Sequence, residues 1–176
     1  MKLKKSGYLL PILILFSAAT VAGTLEEMKR LDAIELPGVS SICEGQGTVQ
    51  SGQKRMKFED WARGTVISKP GEPLRYHVER TNSVDGVVYA KYEFEMTTWL
   101  EKDAEIAEID PDTVHASIPE DAAQNAQVVD FIRANKKKSQ RFQDIHITTF
   151  PFYEIKPAQD DPMKIFYRCG PENHNG

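Results

Sequence analysis

The stretch VVYAKYEFEMTTWL, residues 87–100, decides how this chain folds. Val88, Ala90, Tyr92, Phe94, Met96 and Leu100 share one face, and Lys91, Glu93, Glu95 and Thr97 share the other. A period of two marks a strand with one side in the core and the other in water. At roughly 14 residues it is far longer than the usual 5–6. A strand of that length implies a curved sheet wrapped around a helix or a ligand.

Period two extends on both sides of this strand, from Val39 to about Asp110. The turn markers are Ser51-Gly52, the run Lys69-Pro70-Gly71-Glu72-Pro73, and Asp85-Gly86. The pattern predicts an antiparallel meander. Ahead of it, Thr24-Leu-Glu-Glu27 is a capping box, and Leu25, Met28, Leu31 and Ile34 recur at near-helical spacing until Pro37-Gly38 stops the run. Behind it, Ser117-Ile-Pro-Glu120 reads as a second capping box and predicts a longer helix reaching about Arg141. Ala122, Ala126, Val129 and Ile132 form its apolar stripe, and Lys136, Lys137 and Lys138 lie near its end, where they suit the helix dipole. Residues 144–150, 152–156 and 163–169 read as three further strands, with Pro157 to Pro162 turning the last pair. The expected fold is α+β: a curved antiparallel sheet, half-barrel or barrel-like, with a short N-terminal helix and one longer helix packed on the sheet.

Residues 1–22 have the layout of a secretory signal peptide: Lys2, Lys4 and Lys5, then an apolar run from Tyr8 to Val21, then the small residues Ala22 and Gly23. The run is short of the roughly 20 apolar residues a membrane span needs. This predicts a periplasmic or secreted protein with no stable membrane insertion after cleavage. Loss of those three lysines moves the formal charge from −4 to −7, which argues against nucleic-acid binding. Residues 23–170 make one domain, and 171–176 a polar tail. In an oxidising compartment the two cysteines, Cys43 and Cys169, are expected to pair and to clamp the first strand to the last.

The usual signatures of an enzyme are absent: there is no Gly-x-Ser-x-Gly elbow, no His-Glu-x-x-His, no phosphate loop and no Cys-x-x-Cys. The expectation is a non-catalytic protein without a cofactor. Glu93 and Glu95 point the same way about 7 Å apart, yet they share a face with Lys91 and Thr97 and read as a solvated strand face. His77, His115, His146 and His174 have no partner at metal-ligand spacing, although His77 and His146 could meet across a sheet. Phe58, Trp61, Tyr76, Tyr89, Tyr92, Phe94 and Trp99 concentrate in the meander. Core packing accounts for most of such a cluster, and an apolar pocket beneath the helix is the functional alternative.

The stretch from Gly64 through Lys69-Pro70-Gly71, Arg75-Tyr76 and Asp85-Gly86 to Tyr89 or Tyr92, preceded by the Thr24–Leu36 helix, resembles the opening half of periplasmic lipoprotein-carrier proteins. Those are half-barrels that shield acyl chains. The resemblance implies that Arg75 helps control a ligand cavity and that Tyr76, Tyr92 and Phe94 line it; Met96 continues the same face. Two function classes follow: a carrier of a lipid or other apolar ligand, or a module that binds a protein partner in the cell envelope through acidic clusters such as Glu101–Glu108 and Glu120–Asp121.

Overall fold

The computed structural model describes residues 22–51, 54–157 and 164–172. The expected signal peptide thus lies almost wholly outside the described residues, as do residues 173–176 and all but the first residue of the turn expected at Pro157 to Pro162. Within them, one ten-stranded sheet, antiparallel throughout, curls into a nearly closed barrel with a seam.

The order of strands explains the curl. A meander of β1 (Ser40–Ser51), β2 (Lys54–Val66), β3 (Leu74–Val84) and β4 (Val87–Leu100) forms its centre. β4 has the limits that its alternation predicts. Its far edge is shared by two partners: β5 (Ala104–Ile109) pairs with Met96–Leu100, and β6 (His115–Ile118) pairs with Lys91–Glu93. β7 (Lys137–Arg141) then adds to β5 and ends the sheet on that side. On the other side β1 pairs with β10 (Phe166–Pro171), followed by β9 (Phe152–Ile155) and β8 (Ile145–Thr149). The two terminal strands, β7 and β8, are joined by a single 3-10 turn at Phe142–Asp144, so the chain itself spans the seam.

The N-terminal helix completes the closure. α1 (Leu25–Asp32) starts with the expected capping box: Glu27 N donates to Thr24 Oγ1 at 3.3 Å, and Thr24 N donates to Glu27 Oε2 at 2.9 Å. It ends four residues earlier than Leu36, leaving Ile34 and Leu36 exposed. Met28 is buried against Phe142 and Ile145, with Leu25, Leu31 and Leu100 around them. Gly23 N donates to Ile145 O just before the helix, which fixes α1 to β8.

The second helix differs from expectation at both ends. α2 spans Ala122–Ala134, and its N-cap is Asp121, which accepts from the amides of Ala123 and Gln124. Ser117 belongs to β6 instead. At the other end the Asn135 side chain donates to Phe131 O, and the Lys136–Lys138 run leaves the helix, Lys137 and Lys138 entering β7. The unpaired edge of β5 offers this segment a full ladder, which outweighs the helix-dipole preference of its lysines. Charged side chains also suit a strand that forms the sheet edge. The helix face turned to the sheet is Val128, Val129 and Ile132, packed on Val66, Tyr76, Val78 and Phe94; Ala122 and Ala126 are exposed.

The disulfide is where the sequence places it. Cys43 and Cys169 are directly opposite in the β1–β10 pair, with S–S 2.04 Å, and they join the first strand to the last. The described chain continues past Gly170: Glu172 N donates to Ser40 O, and its carboxylate meets the Arg63 guanidinium at 2.9 Å.

Candidate functional site

The strand registers define two faces, and they sort the residues singled out from the sequence. Tyr76, Tyr92, Phe94 and Met96 all lie on the inner face. Arg75 is on the outer face, exposed, with Nη2 2.6 Å from Glu95 Oε2. The expected cavity-controlling cation therefore points away from the cavity side, because it neighbours an inward Tyr76 on an alternating strand. Glu93 sits 3.7 Å from His77 on that same outer face. His146 is on β8, which does not pair with the strand of His77, so the two do not meet across the ladder. Tyr76 and Phe94 are sealed under α2, with Met96 partly buried beside them. Tyr92 is the one that reaches an open space.

That space is a groove of about 710 Å³ between the start of β4 and α2. Tyr89, Tyr92 and Ala90 form one wall, Val128, Phe131 and Ile132 the other, and Asn82 is at the floor. A β-bulge shapes it. The β3–β4 register passes from Asn82–Ala90 to Ser83–Val88, so Tyr89 is the extra residue. The bulge re-aims the strand. Tyr89 turns toward the inner Phe58, with ring centroids 6.4 Å apart, and Val88 is left exposed rather than on the core face. Phe131 is a large apolar side chain that is 70% exposed.

Behind the groove is a polar network that sequence reading missed. Asp60, 2% exposed, accepts from Arg80 Nε at 2.8 Å, from Asn82 Nδ2 at 2.8 Å and from the Tyr167 hydroxyl at 2.8 Å, and it also pairs with Arg80 Nη2. Burial acts to lower the Arg80 pKa, but the hydrogen bonds and charge of Asp60 outweigh it and hold the guanidinium firmly protonated. Gly45 makes room for this arrangement: a β-carbon there would come 2.5 Å from the Tyr167 ring, so only glycine lets that ring cross β1 to Asp60. A signal for the network does exist in the sequence. Asp60 and Arg80 fall on the apolar phase of their strands, in step with Phe58 and Val66 and with Tyr76 and Val78.

A second inner group is acidic. Glu105 pairs in register with Leu100 and faces inward, near Asp32 and Glu35 at the end of α1 and near the tyrosines of positions 76 and 153. Burial first, then the charges of Asp32 and Glu35, push the Glu105 carboxyl up to about 7. Burial, then Asp32, raises Glu35 as well, and its Oε2 is sealed from water with no hydrogen-bond partner among the described residues. A carboxyl raised in the folded state favours folding below its unfolded pKa, and that contribution is lost as pH rises through the folded value. Stability is therefore expected to fall between about pH 5 and pH 8, with Glu105 accounting for up to about 3 kcal/mol of the difference. Urea midpoints measured across that range should rise toward pH 5 in the native chain and flatten in Glu105→Gln; equal slopes in the two would contradict this placement of Glu105.

Among the described residues no three His, Cys, Asp or Glu side chains converge as metal ligands, and no helix is long and apolar enough to cross a membrane. No protein-family model, curated protein or solved structure matches the chain.

Proposed function

We propose that this chain is an exported binding protein that takes up an apolar ligand or acyl chain in the groove between α2 and β4. The observation that carries this reading is the pairing of Tyr89 and Tyr92 with Val128 and the exposed Phe131 across an open space of about 710 Å³, a size typical of small-molecule sites. The resemblance to lipoprotein carriers points the same way, with a change of residues: Tyr92 and Tyr89 stand at the groove, while Tyr76 and Phe94 support α2 from below. Export is supported by the signal-like residues 1–22 and by the Cys43–Cys169 bond, which belongs to an oxidising compartment.

Uptake of the neutral probe N-phenyl-1-naphthylamine tests the reading. Its fluorescence should rise on mixing with the protein. Phe131→Asp should weaken binding by about tenfold or more, since it places a charge in the apolar wall. Phe131 is exposed, so this change leaves the core intact. No fluorescence rise with the native chain would sink the proposal. The reading as a protein-interaction module has the exposed Val87 and Val88 at the hairpin tip in its favour, and it gains if the probe fails to bind.

A further inference from the structure

The groove between α2 and β4 has a direction. Gln124, Gln127, Val128, Phe131 and Ile132 recur at helical spacing and form its helix side. The first two are exposed carboxamides in the opening turns of α2, and the other three are apolar. The helix rises about 10 Å between Gln124 and Phe131. This wall is therefore polar at the start of the helix and apolar beyond it, the pattern an amphiphile presents.

None of the residues that line the groove carries a charge. Tyr89 and Tyr92 supply phenols, and burial raises the pKa of both, so both keep their protons. Asn82 on the floor is buried and donates to Asp60, whose charge is already met by Arg80. At the polar end the Asp121 carboxylate caps α2, accepting from the amides of Ala123 and Gln124, with Glu120 next to it in the chain. An acidic head group placed there would lose hydration and meet these two carboxylates. A cationic head would lose hydration too, with no carboxylate among the lining residues to replace it.

We infer that the ligand is an uncharged amphiphile, its hydroxyl-bearing head group held by Gln124 and Gln127 and its chain lying along Val128, Phe131 and the rings of Tyr89 and Tyr92. A carboxamide offers both donors and an acceptor, and a hydroxyl group both donates and accepts, so the two match without any charge to desolvate. Glycosyl and glyceryl heads share this chemistry. A fatty acid can still dock by its chain, at a higher concentration. The inference rests on the groove being a ligand site, and its test separates the two claims.

The test is displacement of N-phenyl-1-naphthylamine from the folded chain by octyl glucoside, octanoylglycerol, octanol, octanoate and octylammonium, each below its micelle concentration. At least one of the two polyols should compete at about one fifth the concentration octanol needs, and at about one tenth that of either ion. An advantage for both polyols, or for one alone, supports the inference and tells a glycosyl from a glyceryl head. Gln124→Leu combined with Gln127→Leu should bring the polyols to the level of octanol. Both positions are exposed and leucine is a good helix former, so this variant keeps the fold. Octanoate or octylammonium competing as well as the polyols overturns the uncharged head group and leaves the groove standing. Polyols no better than octanol, or an advantage that survives the double variant, overturn the role of the two glutamines. Failure of the probe to bind at all overturns the groove and the head group together.

Discussion

Asp60→Ala is expected to destabilise the protein by about 3–5 kcal/mol, among the largest effects of any single side-chain change. The carboxylate is buried at the meeting point of β2, β3 and β10 and receives hydrogen bonds from Arg80, Asn82 and Tyr167. Its removal leaves a guanidinium largely out of water with no counter-charge, and it leaves two neutral donors without an acceptor. A domain of this size has only about 5–15 kcal/mol of net stability, so the yield of folded protein should fall as well. The companion change is more discriminating. Asp60→Leu combined with Arg80→Met removes both charges and should cost much less than Asp60→Ala alone, since a buried pair replaced by apolar groups of similar size is often close to neutral. Urea denaturation of the three proteins checks this. A cost for Asp60→Ala below about 1 kcal/mol, the range of exposed pairs, would mean that the network is far wetter than its geometry shows.

The second large effect concerns the closure of the sheet. Replacing both Cys43 and Cys169 with alanine should lower stability by about 4–5 kcal/mol, the loop-closure value for a cross-link across 126 residues. The bond joins β1 to β10, and β10 holds β9 and β8. Without it, the C-terminal strands depend on the β1–β10 ladder, the Tyr167–Asp60 hydrogen bond and the Arg63–Glu172 pair. The ion pair, only half-buried, adds little. Limited proteolysis of the alanine variant should therefore cut first between residues 156 and 172 while the β1–β4 meander stays intact, and the urea midpoint should drop in parallel. An unchanged midpoint would show that the clamp adds nothing to a sheet already closed by its own ladder and by α1.

These two effects also show what could be read from the chain and what could not. The limits of β4 were legible because period two runs through most of it, and the start of α1 because Thr24 and Glu27 cap each other within four residues; the bulge at Tyr89 and the early end of α1 were not. Both signals are local. The end of α2 was misread because Lys136, Lys137 and Lys138 suit a helix terminus as well as a sheet edge, and only the unpaired side of β5, some thirty residues away, favours the edge. Arg75 was singled out and Arg80 passed over for a related reason. The resemblance to lipoprotein carriers points to Arg75, the basic residue after the proline turn, whereas the strand phase, counted from Tyr76 and Val78, sends Arg80 inward and Arg75 outward. Counting phase along β2 would have exposed Asp60 too. That the two meet depends on the β2–β3 register, which the sequence does not state. The groove itself was beyond reach, because Tyr89 enters it only through a one-residue bulge.

The central claim is that the space between α2 and the start of β4 receives a ligand. Titration of the isotope-labelled protein with dodecanoate, followed through its backbone amide resonances, tests it most directly. The account predicts saturable shifts concentrated at Tyr89 to Tyr92 and Val128 to Ile132. Shifts confined to the outer surface around Phe152 and Arg168, or no saturable shifts at all, would contradict it.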